Sequence, residues 1–361
     1  MSGTDPGLLS RRVQSRRVQS GRVLGRRVLP LVAVAALVLP TAACSGTTPV
    51  ADPLDGVPSA AAPPTASATP APTSPGPLPL TGLPARSRKQ QARALVAVAV
   101  RSGTGLGAPR GLDEAELVYV SFPSAGRQRA LGLFQSTDAD RVGPVTATRP
   151  IDSKLLSAVG AVLVHSGGTR GFLEQLSANG LAQWSASVHR DGFDLADDGS
   201  LYASTSVARA ADGAAPARPG LLALADDGPD AGPARRGRVR IEVPGQDGAE
   251  LRYDGDTRTW KGSIGQLPVT ATNVVVQVVS YDPLVLPKSG GLVEGNPKPD
   301  GKGGATLLSG PRVDAGSWNR PGPRTSTSFV RRDGTPARLA AGTTWVLLVP
   351  SGTEVEAGPT S

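Results

Sequence analysis

The chain contains little cysteine and histidine. Its 361 residues include one cysteine, Cys44, and two histidines, His165 and His189. A lone cysteine has no partner for an internal disulfide, and no Cys or His cluster has the spacing of a zinc site. The sequence therefore excludes a disulfide framework and a cysteine-based zinc module, and it leaves few groups for acid–base or nucleophilic catalysis.

A hydrophobic run of membrane-spanning length is also missing at the N-terminus. The apolar run 28–39 is shorter than the roughly 20 residues that a spanning helix needs. Seven arginines precede the run, and small residues follow it at 41–43. Because this pattern is typical of a cleavable export signal, we predict that residues 1–43 are a signal peptide. General secretion is the expected route, and twin-arginine export is the alternative because paired arginines precede the run.

The signal ends at the single cysteine. Residues Thr41-Ala42-Ala43-Cys44 resemble the lipobox of bacterial lipoproteins, although the usual leucine of that motif is Thr41 here. The resemblance implies that Cys44 becomes the first mature residue and carries a thioether-linked diacylglycerol. It also implies that the lipid bilayer is a partner and that the protein lies on the outer face of the cytoplasmic membrane. Apart from the diacylglycerol, no cofactor is expected. The alternative is a secreted protein whose cysteine has no assigned role.

The positive charge of the chain lies mostly in the predicted signal. The formal net charge is +8, and residues 1–43 hold seven arginines and one aspartate, which leaves +2 for the rest. Without a basic stripe interleaved with aromatic residues, nucleic acid is not an expected partner. Residues 44–78 are rich in Pro, Ala, Ser and Thr and contain no aromatic residue, so we predict a disordered tether there.

The rest of the chain predicts two domains. Apolar runs at 94–100, 117–121, 129–134 and 161–165 indicate strands, and helices are expected at 153–159, with Asp152 as N-cap, at 169–178 and at 204–211. This order predicts an α+β domain over 79–225. A linker is expected at 226–237 and a flexible tail at 351–361. Between them, a mostly-β domain over 238–350 is predicted from strand patterns at 238–243, 251–253, 257–261, 273–281, 305–308 and 344–349.

Separated motifs resemble the YerB-like lipoprotein family, which carries domains of unknown function 3048. They lie at 79–84, 111–119, 142–145 with Arg149-Pro150, 164–168, 273–277, 318–320 and 342–346. The resemblance implies a two-domain extracytoplasmic protein and implies no known reaction. The chain departs from the family at Val100-Arg101, where the family has Asp-Asn. It also departs at 199–202, where Gly-Ser-Leu-Tyr replaces His-Asn-Leu-Tyr.

Five residues are candidates for a ligand site: Arg149, Asp152, His165, Ser166 and Tyr202. His165-Ser166 ends a predicted strand just before a helix, where backbone N–H groups can receive an anion. Arg149, near the start of another helix, is suited to a carboxylate or a phosphate. An enzyme would use His165 as base, Ser166 as nucleophile and Asp152 as the orienting carboxylate. Ser166 is not in a Gly-x-Ser-x-Gly turn, however, so binding is the preferred interpretation.

No metal site is predicted. The acidic segment at 191–198 lacks the alternating oxygen ligands and closing glutamate of a calcium loop. We therefore expect a membrane-anchored extracytoplasmic lipoprotein that binds or scaffolds a cell-envelope ligand or protein partner. The alternative is a cell-envelope hydrolase or transferase. A transporter's substrate-binding protein is less favoured, because the sequence shows no pair of similar α/β lobes.

Overall fold

The computed structural model describes residues 75–211, 214–216, 218, 221–224 and 237–359. The predicted signal peptide, Cys44, the tether up to residue 74 and the linker up to residue 236 lie outside the described residues, and the predictions about them stay predictions. Within the described ranges, no helix is both long and apolar enough to cross a membrane.

The described chain is mostly β. The helices are α1 Arg88–Gln91, α2 Pro150–Leu156, α3 Arg170–Ala178 and α4 Thr205–Ala208. The strands are β1 Val96–Gly103, β2 Leu117–Ser124, β3 Arg127–Phe134, β4 Val162–His165, β5 Ala182–Ser185, β6 Phe193–Leu195, β7 Leu201–Ala203, β8 Gly237–Glu242, β9 Ala249–Asp254, β10 Thr259–Ile264, β11 Leu267–Ala271, β12 Asn273–Val278, β13 Tyr281–Leu286, β14 Leu292–Pro297, β15 Gly301–Ser309, β16 Arg312–Arg320, β17 Ser328–Arg331, β18 Pro336–Ala337, β19 Thr344–Val349 and β20 Glu354–Pro359.

An eleven-stranded sheet forms the centre of the molecule. Its strand order is β18-β17-β16-β15-β12-β19-β2-β3-β1-β4-β5. Strand β19 pairs in parallel with β12 on one side and with β2 on the other. These three strands are near-continuous apolar runs, as expected of strands covered on both faces. Because β2 precedes residue 226 and β19 follows residue 237, both predicted regions contribute to one sheet.

Two layers cover the faces of this sheet. On one face, Leu155 and Leu156 of α2 and Leu176 of α3 pack on the strands. On the other face lies a five-stranded sheet in the order β11-β10-β9-β8-β20, which buries Trp260 against the same core as Trp345. Strand β8 alternates buried and exposed residues along its length, as a half-buried strand should. The helical layer is the one that positions the candidate site.

The structure confirms the mostly-β C-terminal region and corrects two local predictions. Asp152 is not the N-cap of α2, because Pro150, with its fixed φ, takes the first helical position and Arg149 becomes the N-cap. Residues 351–361 are not simply a flexible tail, because β20 pairs with β8 over six residues. Backbone hydrogen bonds order β20, and its side chains are mostly exposed. Its sequence therefore has little hydrophobic pattern from which a strand could be predicted.

Candidate functional site

A cleft of about 340 Å³ opens on the helical side of the large sheet, near the ends of β1 and β4. Two arginines, Arg101 and Arg149, line it, together with four hydroxyl-bearing residues, Thr146, Ser166, Thr169 and Ser289. Leu286, from the hairpin formed by β13 and β14, contributes an apolar wall. The volume lies at the lower end of the range of small-molecule sites.

A buried ion pair shapes one wall of the cleft. Both carboxylate oxygens of Asp152 accept hydrogen bonds from Arg129, at 2.7 Å from Nη1 and 2.6 Å from Nη2. Oδ2 also accepts from Thr148 Oγ1 at 3.0 Å and from the Arg149 backbone N–H at 2.8 Å. Arg129 Nη2 donates in addition to the Ala147 carbonyl oxygen at 3.3 Å. These bonds fix the segment 147–149 against the start of α2 and so set the position of Arg149.

Arg149 contacts a carboxylate, as its residue type suggested, and the carboxylate belongs to the same chain. Its Nε donates to Glu294 Oε2 at 2.8 Å and its Nη2 donates to Glu294 Oε1 at 3.3 Å. Both side chains are largely shielded, with 17% and 13% of their surface exposed. Glu294 lies in β14, so this two-point ion pair joins the N-terminus of α2 to the β13–β14 hairpin.

His165 lies beneath the cleft and Ser166 lines it. The imidazole is 1% exposed, and its Nδ1 accepts from the Gly167 backbone N–H at 3.1 Å. Burial lowers the pKa of His165, against the opposing effects of the Gly167 hydrogen bond and the Asp152 charge. Among the described residues, no hydrogen bond joins His165 to Ser166 or to Asp152, whose oxygens are occupied by Arg129, Thr148 and Arg149. The structure therefore brings the three residues into one neighbourhood without the contacts of a catalytic triad.

Tyr202 supports the cleft from outside. It is 3% exposed, its Oη donates to the Ala108 carbonyl at 3.0 Å, and Arg141 lies 4.4 Å above its ring. The neighbouring Leu201 does line the cleft, and its carbonyl accepts from the Val145 N–H at 2.7 Å. A side chain at Gly143 would place its Cβ 2.6 Å from that same carbonyl. The motifs at 142–145 and 201–202 thus pack against each other, which requires glycine at 143.

One residue that lines the cleft, Arg101, and one at its edge, Glu294, were not predicted from the sequence. No sequence pattern indicated Glu294, because its partner Arg149 lies 145 positions earlier in the chain and no local motif connects the two. Arg101 was noted in the sequence only as a departure from a resemblance, and it was not among the candidate site residues. It is exposed at the cleft, and no ion pair with another described residue neutralises it. Arg101 therefore adds a positive charge to the cleft that the sequence analysis did not assign to a site.

The arrangement is suited to recognising a small anion. Arg101 and hydroxyl groups converge on a concave surface, where a cation attracts an anionic ligand more strongly than on a flat surface. The Arg149 guanidinium lies at the same surface and is paired with Glu294. Within the described part of the chain, no group of three His, Cys, Asp or Glu residues is placed to hold a metal ion.

Comparisons with known proteins agree with this fold. Residues 80–216 match the family described as the protein of unknown function (DUF3048) N-terminal domain, and residues 239–346 match its C-terminal domain. No curated protein matches the chain. Among solved structures, the crystal structure of the YerB protein from Bacillus subtilis matches with a TM-score of 0.63 and 20% identity, covering 78% of this chain and 99% of that one. At this identity the likeness shows the fold alone.

Proposed function

The chain belongs to the DUF3048 family of YerB-like proteins, and we propose that it is a lipid-anchored extracytoplasmic protein whose cleft binds a small anionic ligand of the cell envelope. The observation that carries the binding proposal is the pair of guanidinium groups, Arg101 and Arg149, that line one cleft of small-molecule size. Binding is favoured over hydrolysis because His165 and Asp152 make no hydrogen bond to each other and neither lines the cleft.

We also propose that the α+β region 79–225 and the mostly-β region 238–350 act as two family domains that fold as one body. The family matches at 80–216 and 239–346 support the division. All helices α1–α4 fall in the first region, and both regions supply strands to the large sheet. The cleft draws on both, because Arg149 comes from the first region and Leu286 from the second.

Ligand binding is tested by titration calorimetry on the full mature chain in detergent. The probes are inorganic phosphate, glycerol phosphate and D-alanyl-D-alanine, a dipeptide with a free carboxylate. Arg101→Ala is expected to weaken binding at least about tenfold, because it removes a charged hydrogen-bond donor. Arg252→Ala, which removes an exposed arginine from β9, is the matched control. The proposal fails if no probe binds, or if the two variants bind alike.

The anchor is supported by the sequence 41–44 and is tested separately. Two acyl chains give a stable membrane attachment, whereas one would be marginal. The natural chain is expected in the membrane fraction, released only by detergent, and Cys44→Ser is expected to be largely released without detergent. Equal membrane retention of the two chains, or a wild-type chain that keeps its leader in the cytosol, would contradict the anchor.

A further inference from the structure

We propose that Glu294 is a built-in carboxylate that holds the β13–β14 hairpin over the cleft, and that a ligand carboxylate displaces it from Arg149. This inference rests on the proposed function and adds to it the chemical class of the ligand and a way in which the site opens. The juxtaposition that carries it is the two-point ion pair between Arg149 and Glu294 at the edge of a cleft that also contains Arg101.

The hairpin is a separate element of the fold. Strands β13 and β14 pair only with each other within the described structure, in the register Tyr281↔Pro297 to Leu286↔Leu292. A two-stranded hairpin is at most marginally stable by itself. Its position therefore depends on its contacts with the rest of the molecule.

Strand β14 lies beside β2, and polar contacts hold the hairpin at two further places. At the base, the Tyr281 hydroxyl donates to the Leu348 carbonyl and accepts from the Phe122 N–H, which attaches the hairpin to β19 and β2. Further along, Glu294 joins Arg149, and the buried Leu286 lines the cleft. Between Glu294 and Leu286 in the register, the paired residues Val285 and Val293 are both 56% exposed. With its base fixed and the valines exposed, the hairpin can open about its base once the ion pair breaks and Leu286 leaves the cleft.

The ion pair also indicates which ligand group would replace it. Arg149 already presents Nε and Nη2 to two oxygens of one carboxylate, which is the planar geometry that arginine and carboxylate share. A ligand carboxylate would recover those two hydrogen bonds and would also gain the attraction of Arg101. Glu294 therefore competes with the ligand, and removing its charge should strengthen ligand binding.

The test compares Glu294→Gln with the natural chain by two measurements. Hydrogen exchange is expected to be about tenfold faster over 282–296 in the variant, because the charged hydrogen bonds that hold the hairpin are lost. Titration with D-alanyl-D-alanine is expected to give binding about tenfold tighter, because the internal competitor is gone. Glu242→Gln is the matched control, since it breaks the ion pair with Arg240 on β8, at 3.0 Å. It should alter neither measurement.

The outcomes separate this inference from the proposed function. Unchanged exchange over 282–296 in Glu294→Gln would overturn the hairpin closure even if the natural chain binds anions. Equal or weaker dipeptide binding by Glu294→Gln, while Arg101→Ala still weakens it, would overturn displacement and leave the binding site standing. Tighter binding of inorganic phosphate alone would overturn the carboxylate assignment. Faster exchange with no binding of any probe would overturn the proposed function together with displacement.

Discussion

Asp152 is a fully buried carboxylate that neutralises a nearly buried guanidinium. Its partner Arg129 has 8% of its side chain exposed, and Asp152 has none. Removing one charge of such a pair leaves the other buried without compensation, which typically costs about 3–5 kcal/mol. We therefore expect Asp152→Asn to lower the free energy of unfolding by about that amount, as measured by urea denaturation.

The exposed ion pair between Arg170 and Glu174 provides the control for Asp152. It spans one turn of α3, and 92% and 62% of the two side chains are exposed. Such i,i+4 pairs contribute about 0.3–0.5 kcal/mol, so Glu174→Gln should change stability by no more than that. If the two variants lost similar amounts, the buried pair would not be what holds the wall of the cleft.

The burial of His165 predicts a dependence of stability on pH. Because burial lowers the pKa of His165 in the folded chain, the unfolded chain takes up this proton at higher pH, near the ordinary histidine value of about 6.5. As pH falls below that value, protonation stabilises the unfolded state, so stability decreases until the pH has fallen through the folded-state pKa. Urea denaturation between about pH 7.5 and 5 should show this decrease in the natural chain. The decrease should be smaller in His165→Gln.

His189 distinguishes this effect from a general response to acid. His189→Gln removes the other histidine, whose ring stacks on Trp184 with a centroid distance of 3.9 Å. If the dependence of stability on pH is reduced in His165→Gln but unchanged in His189→Gln, it arises from the protonation of His165. An identical slope in the natural chain and in His165→Gln would contradict the assignment.

At the scale of the element, β20 shows that the C-terminal segment completes a sheet. It pairs with β8 from Glu354↔Glu242 to Pro359↔Gly237, and without it β8 would become an unpaired edge. A chain ending at Gly352 should therefore exchange the amide hydrogens of β8 faster than a chain ending at Pro359, and should unfold at lower urea. If β8 exchanged equally in both chains, the pairing would add nothing to stability.

The sequence predicts some elements well and others poorly, for a physical reason. Strands β2 and β19 are continuous apolar runs because both of their faces are buried. Both bounds of β19 and the start of β2 were predicted to the residue, and β2 ends three residues later than predicted, at Ser124. Strands β13 and β14 were missed as a pair. Most of their residues are exposed or only half-buried, and Pro283 and Gly295 within them are residues that usually indicate turns. Because backbone pairing and an ion pair order these strands, their sequence shows no hydrophobic periodicity from which they could be predicted.

The candidate site divides in the same way. Arg149 and Ser166 were predicted because each stands beside a local boundary between loop, strand and helix. The partners of Arg149 and Asp152 were not predicted, since Glu294 and Arg129 reach them through the tertiary fold. The sequence thus indicates which residues can bind an anion, and the fold decides which of them are already paired.

At the scale of the whole molecule, the two family regions depend on each other. Strand β19, from the second region, lies between β12 and β2 near the middle of the eleven-stranded sheet, and Val346 and Leu347 within it are fully buried. The motif at 79–84 in the first region also contacts the second region, because the Thr81 carbonyl accepts a hydrogen bond from the Gly342 N–H at 2.8 Å. Separating the regions would expose the apolar edge strands β2 and β19, which favours aggregation over independent folding.

Fragments 75–224 and 237–359 should therefore fail to fold alone and should associate when they are produced together. Each fragment by itself is expected to show no cooperative urea transition, because its half of the sheet lacks a partner for β2 or β19. Produced together, the two should purify as a complex with a single transition, which reports that the shared sheet has formed. A cooperative transition from either fragment alone, with the other absent, would mean that this region has a complete core of its own. The β19–β2 pairing would then join two independently stable domains, and the cleft would lie at a junction that can separate.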